Sequence, residues 1–357
     1  MKRGLIEWDR QELPPEVLAG RQVRCRNLMA ERGLDGLLVH TDVWRSGQAR
    51  YLVNFIPYWN QGLVLLPREG EPVLVTALSA RVYPWIRETS AVATIVSGPS
   101  LSAEAADQVK KLGWKRMGIV ERQGLPHGIV SGLEANLSDC ELVDATDLLD
   151  ALRSEADGAG LALYRKAAEI AAQGFAEVAA DLPGKSGWQA ASLLEWRLRR
   201  RAATDTVVLF VGTKGRWPAY PGDEPVSRGS GVLLSVEYKG HWAEIGRTLA
   251  KPDDPSLRAV RAEHASLVEA TRPGVSFESL RMGVERRSNL VSPTVIAFAS
   301  HRSFPLTPVD SLDAIPTGAV ISIHLTGLDR NGEHWWWGEP LVVEANRVRP
   351  LLPEGRP

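Results

Sequence analysis

The sequence predicts two domains: a small α/β unit over residues 1–150, followed by an α+β unit over residues 151–357. Three observations point there. A chain of 357 residues exceeds one ordinary core and suits two domains of ~100–200 residues each. Short apolar runs alternate with helical patterns up to about residue 145, the signature of a mixed sheet with covering helices. An Ala-rich helical stretch from Asp147 to Asp181 then breaks that rhythm, and strands dominate beyond it.

In the first unit, residues 16–33 carry apolar Val17, Leu18, Val23, Leu28 and Met29 at helical spacing and stop at Gly33. Strand-length runs follow at Gly36–His40, Gln61–Pro67 and Pro72–Thr76. The turn Arg68-Glu69-Gly70-Glu71 makes the last two a hairpin. Ala103–Leu112 and His127–Leu137 read as helices around a strand at Met117–Glu121. In the second unit, Gly158–Gly160 divides two helices. Gly187–Arg201 and Ser256–Thr271 are further helices, and strands fall at Thr206–Val211, Gly231–Tyr238, Ala319–Leu325 and Leu341–Glu344.

Composition narrows the function classes. A net charge of −1, with 42 basic and 43 acidic residues, leaves no basic stripe for nucleic acid. The N-terminal Met1–Val17 segment has no apolar core of a signal peptide. No run of about 18 apolar residues suggests a membrane span. Cys25 and Cys140 match no metal or disulfide spacing, which suits a reducing cytosol. The loop at Gly212–Gly215 fits no phosphate-binding pattern. Twelve tryptophans are present, seven of them after residue 187; such residues fill cores or line aromatic ligand walls.

Four ordered landmarks resemble the creatinase/aminopeptidase P/prolidase (M24, pita-bread) family. Arg50-Tyr51-Leu52-Val53-Asn54-Phe55, then Leu66-Pro67 and Gly70–Val75, resemble its N-terminal domain. The helix Leu163–Val178 is similar to the one that opens its catalytic domain. Gly231–Thr248 is similar to its strand-turn-strand ending in Arg-Thr, and Pro316–Gly327 with Gly338–Val343 to its last strands. The resemblance implies a homodimer in which Trp44, Arg45 or Arg50 of one subunit reaches the other's pocket. It also implies a five-ligand, two-metal centre of Asp, Asp, His, Glu and Glu. Those positions fall here on Ser235, Glu244, Thr294, His324 and Glu339. A serine and a threonine cannot stand in for a bridging carboxylate and an imidazole, because two close divalent ions need anionic oxygens between them. No dinuclear metal site and no cofactor are therefore expected.

Creatinase, within the same resemblance, breaks a C–N bond with no metal. By analogy Glu244 and Glu339 would hold a small substrate, with His301 or His324 as general acid/base. His301 falls seven residues beyond Thr294, where the family has a second His, and Tyr220 falls near a further family His. Trp217, Trp242, Trp335 and Trp337 would form aromatic walls suited to a cationic or flat ligand. Glu237 is expected outside the pocket and Arg247 is read as a structural partner of the strands. His40, His127, His241, His264 and His334 have no distinguishing spacing. The expectation is thus a cytoplasmic, metal-independent hydrolase or lyase acting on a small amino-acid-derived molecule. Two alternatives stand beside it: a non-catalytic binding protein on the same fold, and a mononuclear metalloenzyme using Glu244, His324 and Glu339. The sharpest expectation is that Glu244, His301, His324 and Glu339 converge on one cavity, subject to strand register.

Overall fold

In the computed structural model, residues 8–352 are described, apart from residues 58–59, 213–216, 252, 289, 302–304 and 310–313 and the side chain of Arg287. The signal-peptide reading of residues 1–7, and most of the Gly212–Gly215 loop, lie outside the described residues. The chain divides into two compact units after Arg153.

The first unit runs α1 (Pro15–Glu31), β1 (Gly36–Thr41), α2 (Gly47–Val53), β2 (Gly62–Pro67), β3 (Val73–Thr76), α3 (Tyr83–Thr89), β4 (Thr94–Ser97), α4 (Leu101–Lys111), β5 (Arg116–Val120), α5 (His127–Asn136), β6 (Glu141–Asp144) and α6 (Thr146–Ser154). Its six-stranded sheet has the order β4-β3-β2-β1-β5-β6. β1 pairs antiparallel with β2 and parallel with β5, so the sheet is mixed. The central strands β1 and β2 are buried along their whole length, as expected of strands covered on both faces. Two apolar clusters flank them, one around Leu37, Val64 and Leu148, the other around Leu38, Leu65 and Ile119. The sequence reading passed over α2, α3, β4 and β6. These are short elements, seven residues or fewer, too brief for periodicity to stand out.

The second unit runs α7 (Gly158–Val178), α8 (Gly187–Arg200), β7 (Asp205–Val211), β8 (Gly231–Tyr238), β9 (His241–Thr248), α9 (Pro255–Ala270), α10 (Phe277–Arg287), β10 (Val291–Ala299), β11 (Val320–Leu328), β12 (His334–Val343) and β13 (Val348–Pro350). Asp157 caps α7 through the Gly160 amide. Ser186 and Gln189 form a capping box on α8. The sheet is antiparallel throughout, in the order β10-β11-β12-β9-β8-β7, with β13 added beside β12. Helices cover one face: α7 and α8 pack on β7–β9, and α9 and α10 on β10–β12. The opposite, inner face carries a small apolar cluster of Val211, Leu233, Phe298 and Trp336.

Close packing makes some positions intolerant. A Cβ on Gly36 would lie 2.1 Å from the ring of Trp114, which is itself buried. Gly36→Ala should therefore destabilise the first unit by ~1–3 kcal/mol. Urea denaturation followed by far-UV circular dichroism checks this, and an unchanged midpoint would show that the indole gives way freely.

Candidate functional site

Side chains alternate faces along a strand, so the cross-strand partners define who shares the inner face. Ser235 on β8 lies opposite Glu244 on β9. Gly246, two residues on, lies opposite Gly338 on β12. Gly338 in turn lies opposite His324 on β11, and His324 opposite Ile296 on β10. The inner face thus gathers Ser235, Glu244, Gly246, Thr294, Ser322, His324, Trp336 and Gly338.

Glu244 is fully enclosed. Ser235 Oγ lies 3.3 Å from its Oε1; Ser322 Oγ and Ser300 Oγ lie 2.7 and 3.5 Å from its Oε2. Burial pushes its pKa above the ordinary carboxylate value, against the opposing pull of these hydroxyls and of the Leu306 amide. Burial outweighs these donors, so the carboxyl leans towards its neutral, proton-donating state.

His324 sits beside it on the same face. Its Nδ1 is 3.0 Å from Trp336 Nε1. Indole N–H only donates, so Nδ1 accepts and the ring proton sits on Nε2, which has no hydrogen-bond partner among the described residues. The Phe298 ring meets the imidazole edge-on at 5.2 Å. Burial above all, with His264 and Arg247 adding to it, drives the His324 pKa well below 6.5. The imidazole is neutral at physiological pH.

Two glycines admit this pair. A Cβ on Gly338 would stand 2.0 Å from His324 Nδ1, and one on Gly246 would stand 2.1 Å from Trp336 Nε1. The space opposite His324 on β12 is therefore taken by the imidazole itself.

Several expectations are corrected here. Glu339 pairs with Ile323 and points to the helix-covered face, away from Glu244 and His324. There Arg247 donates to its carboxylate at 3.4 Å and to the Gly338 carbonyl at 2.6 Å. Arg247 also stacks on Trp337, with Arg261 on the same ring. Burial brings the Arg247 pKa down to about 10, with Glu339 opposing, so it stays cationic and structural. Trp335 and Trp337 belong to the helix-side core; Trp336 is the indole on the inner face. Glu237, two residues from Ser235, shares the inner face and is buried, contrary to the expectation that it lies outside.

The remaining candidates are dispersed. Trp242 is buried on the inner face, while Trp217 and Tyr220 are exposed, at 65% and 81%. His301 is half-buried directly after Ser300. In the other unit Trp44 is exposed, while Arg50 is buried in that unit's own fold. Sequence reasoning missed Ser300, Ser322, Trp336, Gly246 and Gly338; of these, counting by twos along its own strand from Glu244 would have found Gly246.

The residues present do not fit a two-metal centre. Ser235 and Gly338 offer no charged ligand, Glu244 is ringed by hydroxyls and inclined to keep its proton, and the Nδ1 of His324 is engaged by an indole. Among the described residues no group of three or more His, Cys, Asp or Glu side chains is arranged to hold an ion.

A curved antiparallel sheet with helices on one side, preceded by a mixed α/β unit, defines the pita-bread class. The profile of the Creatinase/Prolidase N-terminal domain matches residues 21–154, and that of metallopeptidase family M24 matches residues 162–287. The chain belongs to the creatinase/prolidase-like M24 family. It is 26% identical over 240 residues to the uncharacterized peptidase YqhT of Bacillus subtilis (strain 168), the alignment spanning 65% of each chain. Its fold is shared with the Xaa-Pro dipeptidase from Bacillus anthracis (TM-score 0.77, 17% identity, 95% of this chain and 99% of that one). It is also shared with the prolidase from Pyrococcus horikoshii OT3 (TM-score 0.76, 16% identity, 94% and 99%).

The buried carboxyl yields a pH test. Glu244 has a raised folded-state pKa, so its contribution is fully present below the ordinary glutamate value of 4.5. It is lost as pH rises through the folded value, because only the unfolded chain ionises freely in that window. Glu244→Gln removes this term. The stability of wild type relative to the variant should therefore fall as pH climbs above 4.5, by up to ~1.4 kcal/mol per pH unit. Paired urea titrations across pH 4–8 measure it, and a difference that grows with pH would mean Glu244 is held as an anion.

Proposed function

We propose that this chain is an M24-type hydrolase of a small, peptide-like amide that works without the family's pair of metal ions. The observation that carries this reading is the inner-face pair of Glu244 and His324. A carboxyl inclined to keep its proton can donate to a leaving amine; the neutral imidazole can take a proton from water only once Nδ1 releases the Trp336 indole, since Nε2 already carries the ring proton. His301, following Ser300, is the second candidate for that base. The Xaa-Pro dipeptidase and prolidase folds that it shares suggest a dipeptide-sized amide as substrate. Exposed Trp217 and Tyr220 would supply its aromatic contacts, with Trp242 buried on the inner face. A cytoplasmic homodimer in which Trp44 of one subunit meets the other's substrate completes the proposal. No helix among the described residues is long and apolar enough to cross a membrane.

One observation favours a second reading, a binding protein that has given up the chemistry. Ser235, Glu244, Ser322, His324 and Trp336 are each at most 1% exposed. The Leu306 amide also bonds Glu244, so a substrate would compete with it for the carboxyl. The mononuclear alternative is not carried forward, since Glu339 lies on the other face from Glu244 and His324.

A panel of Xaa-Pro dipeptides and small amides, assayed with and without chelator, separates these readings. Metal-independent hydrolysis predicts turnover that chelation leaves intact, with well under one equivalent of transition metal in the purified protein. His324→Ala or His301→Ala should then lower kcat by roughly 10²–10⁴-fold with the fold preserved. Turnover abolished by chelator and restored by manganese or cobalt refutes the proposal. Saturable binding with no turnover across the panel moves the assignment to the second reading.

A further inference from the structure

We infer that Trp336 is a positioning residue that fixes His324 as a hydrogen-bond donor, its Nε2–H taken up by an amide carbonyl oxygen of the bound molecule. This role rests on the hydrolytic reading above for the choice of an amide. It deepens that reading by giving His324 the carbonyl oxygen rather than the attacking water.

The contact between the two rings runs in one direction only. An indole nitrogen donates and cannot accept, and an imidazolium has no acceptor. The 3.0 Å approach of Trp336 Nε1 to His324 Nδ1 therefore requires a neutral ring with its proton on Nε2. The surrounding strands hold the indole in place for this. The Trp336 amide donates to Thr248 Oγ1 at 2.7 Å, and the same hydroxyl donates to the Trp336 carbonyl at 3.2 Å. His334 packs against the indole, their ring centroids 6.2 Å apart. Gly246 leaves room for Nε1, since a Cβ there would stand 2.1 Å from it.

The far nitrogen makes the pair more than core packing. His324 and Trp336 are both fully buried, yet His324 Nε2 has no hydrogen-bond partner among the described residues. A buried N–H left unpaired forfeits its hydration with nothing in return, and folded proteins seldom keep one. The nearby hydroxyls are engaged elsewhere: Ser235, Ser300 and Ser322 turn to the carboxyl of Glu244. Because the unpaired group is a donor, it takes an oxygen that carries no proton and opposes an ammonium group in the same place. A neutral N–H shielded from water and fixed before the ligand arrives suits a carbonyl oxygen, above all one on which negative charge builds. The ring keeps its proton throughout.

The test uses the full chain labelled with ¹⁵N-histidine, and N-acetylprolinamide as the probe. Long-range ¹H–¹⁵N spectra report which ring nitrogen carries the proton. Wild type should show His324 protonated on Nε2, with the Nε2–H resonance moving downfield as the probe saturates. Trp336→Phe keeps an aromatic ring but removes the donor, and should give a mixture of the two tautomers. His324→Ala should weaken probe binding about tenfold. His324→Gln, which keeps an acceptor for the indole and an N–H for the ligand, should recover most of that loss. If Trp336→Phe does not fold, the wild-type tautomer and the comparison of glutamine with alanine decide. A wild-type ring protonated on Nδ1, no saturable binding of the probe, or an Nε2–H resonance unmoved by it overturns the inference. So does His324→Gln binding no better than a folded His324→Ala. None of these readouts needs turnover. The Nε2–H tautomer with a probe-induced shift, but no hydrolysis of any dipeptide, upholds the donor and removes the hydrolytic reading. Hydrolysis by a protein whose His324 is protonated on Nδ1 does the reverse.

Discussion

The inner face of the second unit is organised around one contact, the hydrogen bond from the Trp336 indole to His324 Nδ1. Each partner needs a neighbouring strand to withdraw. Gly338 yields to the imidazole and Gly246 to the indole. Once the pair is seated, the remaining space is taken by Phe298, Leu233 and Val211. Glu244 is left in a pocket of seryl hydroxyls. Any side chain at 338 would collide with His324.

The two faces of the sheet divide polar duties accordingly. Around Trp336 the inner face holds an acid inclined to keep its proton and an imidazole kept unprotonated by burial. The helix-covered face holds the charges: Arg247 is stacked on Trp337, paired with Glu339 and anchored to the Gly338 carbonyl. That carbonyl links the two. The Gly338 peptide, kept without a side chain for the sake of His324, is clamped from the other side by Arg247. Removing one partner of such a buried charged set leaves the other uncompensated, which is why the set behaves as a structural unit.

The fold class was readable in the sequence, because the Ala-rich helices and the ordered landmarks each recur at the expected distances. The strand faces were not. β12 is buried on both sides for nearly its whole length, so His334-Trp335-Trp336-Trp337 shows no alternation of apolar and polar residues to fix its register. With no such marker, the carboxylate identity of Glu339 outweighed its parity, and Trp335 and Trp337 were chosen over Trp336. Glu237 was misjudged although the rule was available: two steps from Ser235 returns to the same face. Ser300 and Ser322 were invisible for another reason. A serine acquires meaning only when folding places a carboxyl against it, and no spacing in the chain connects residue 322 to residue 244.

The central claim is that the His324–Trp336 pair occupies the space a dinuclear metal centre would require. A crystal structure of the protein grown with excess manganese, with anomalous scattering recorded for the metal, tests it most directly. The account predicts the indole hydrogen-bonded to His324 Nδ1 and no anomalous peak within coordination distance of Glu244 or His324. A manganese ion bound between those residues, with Trp336 displaced from the imidazole, would contradict it.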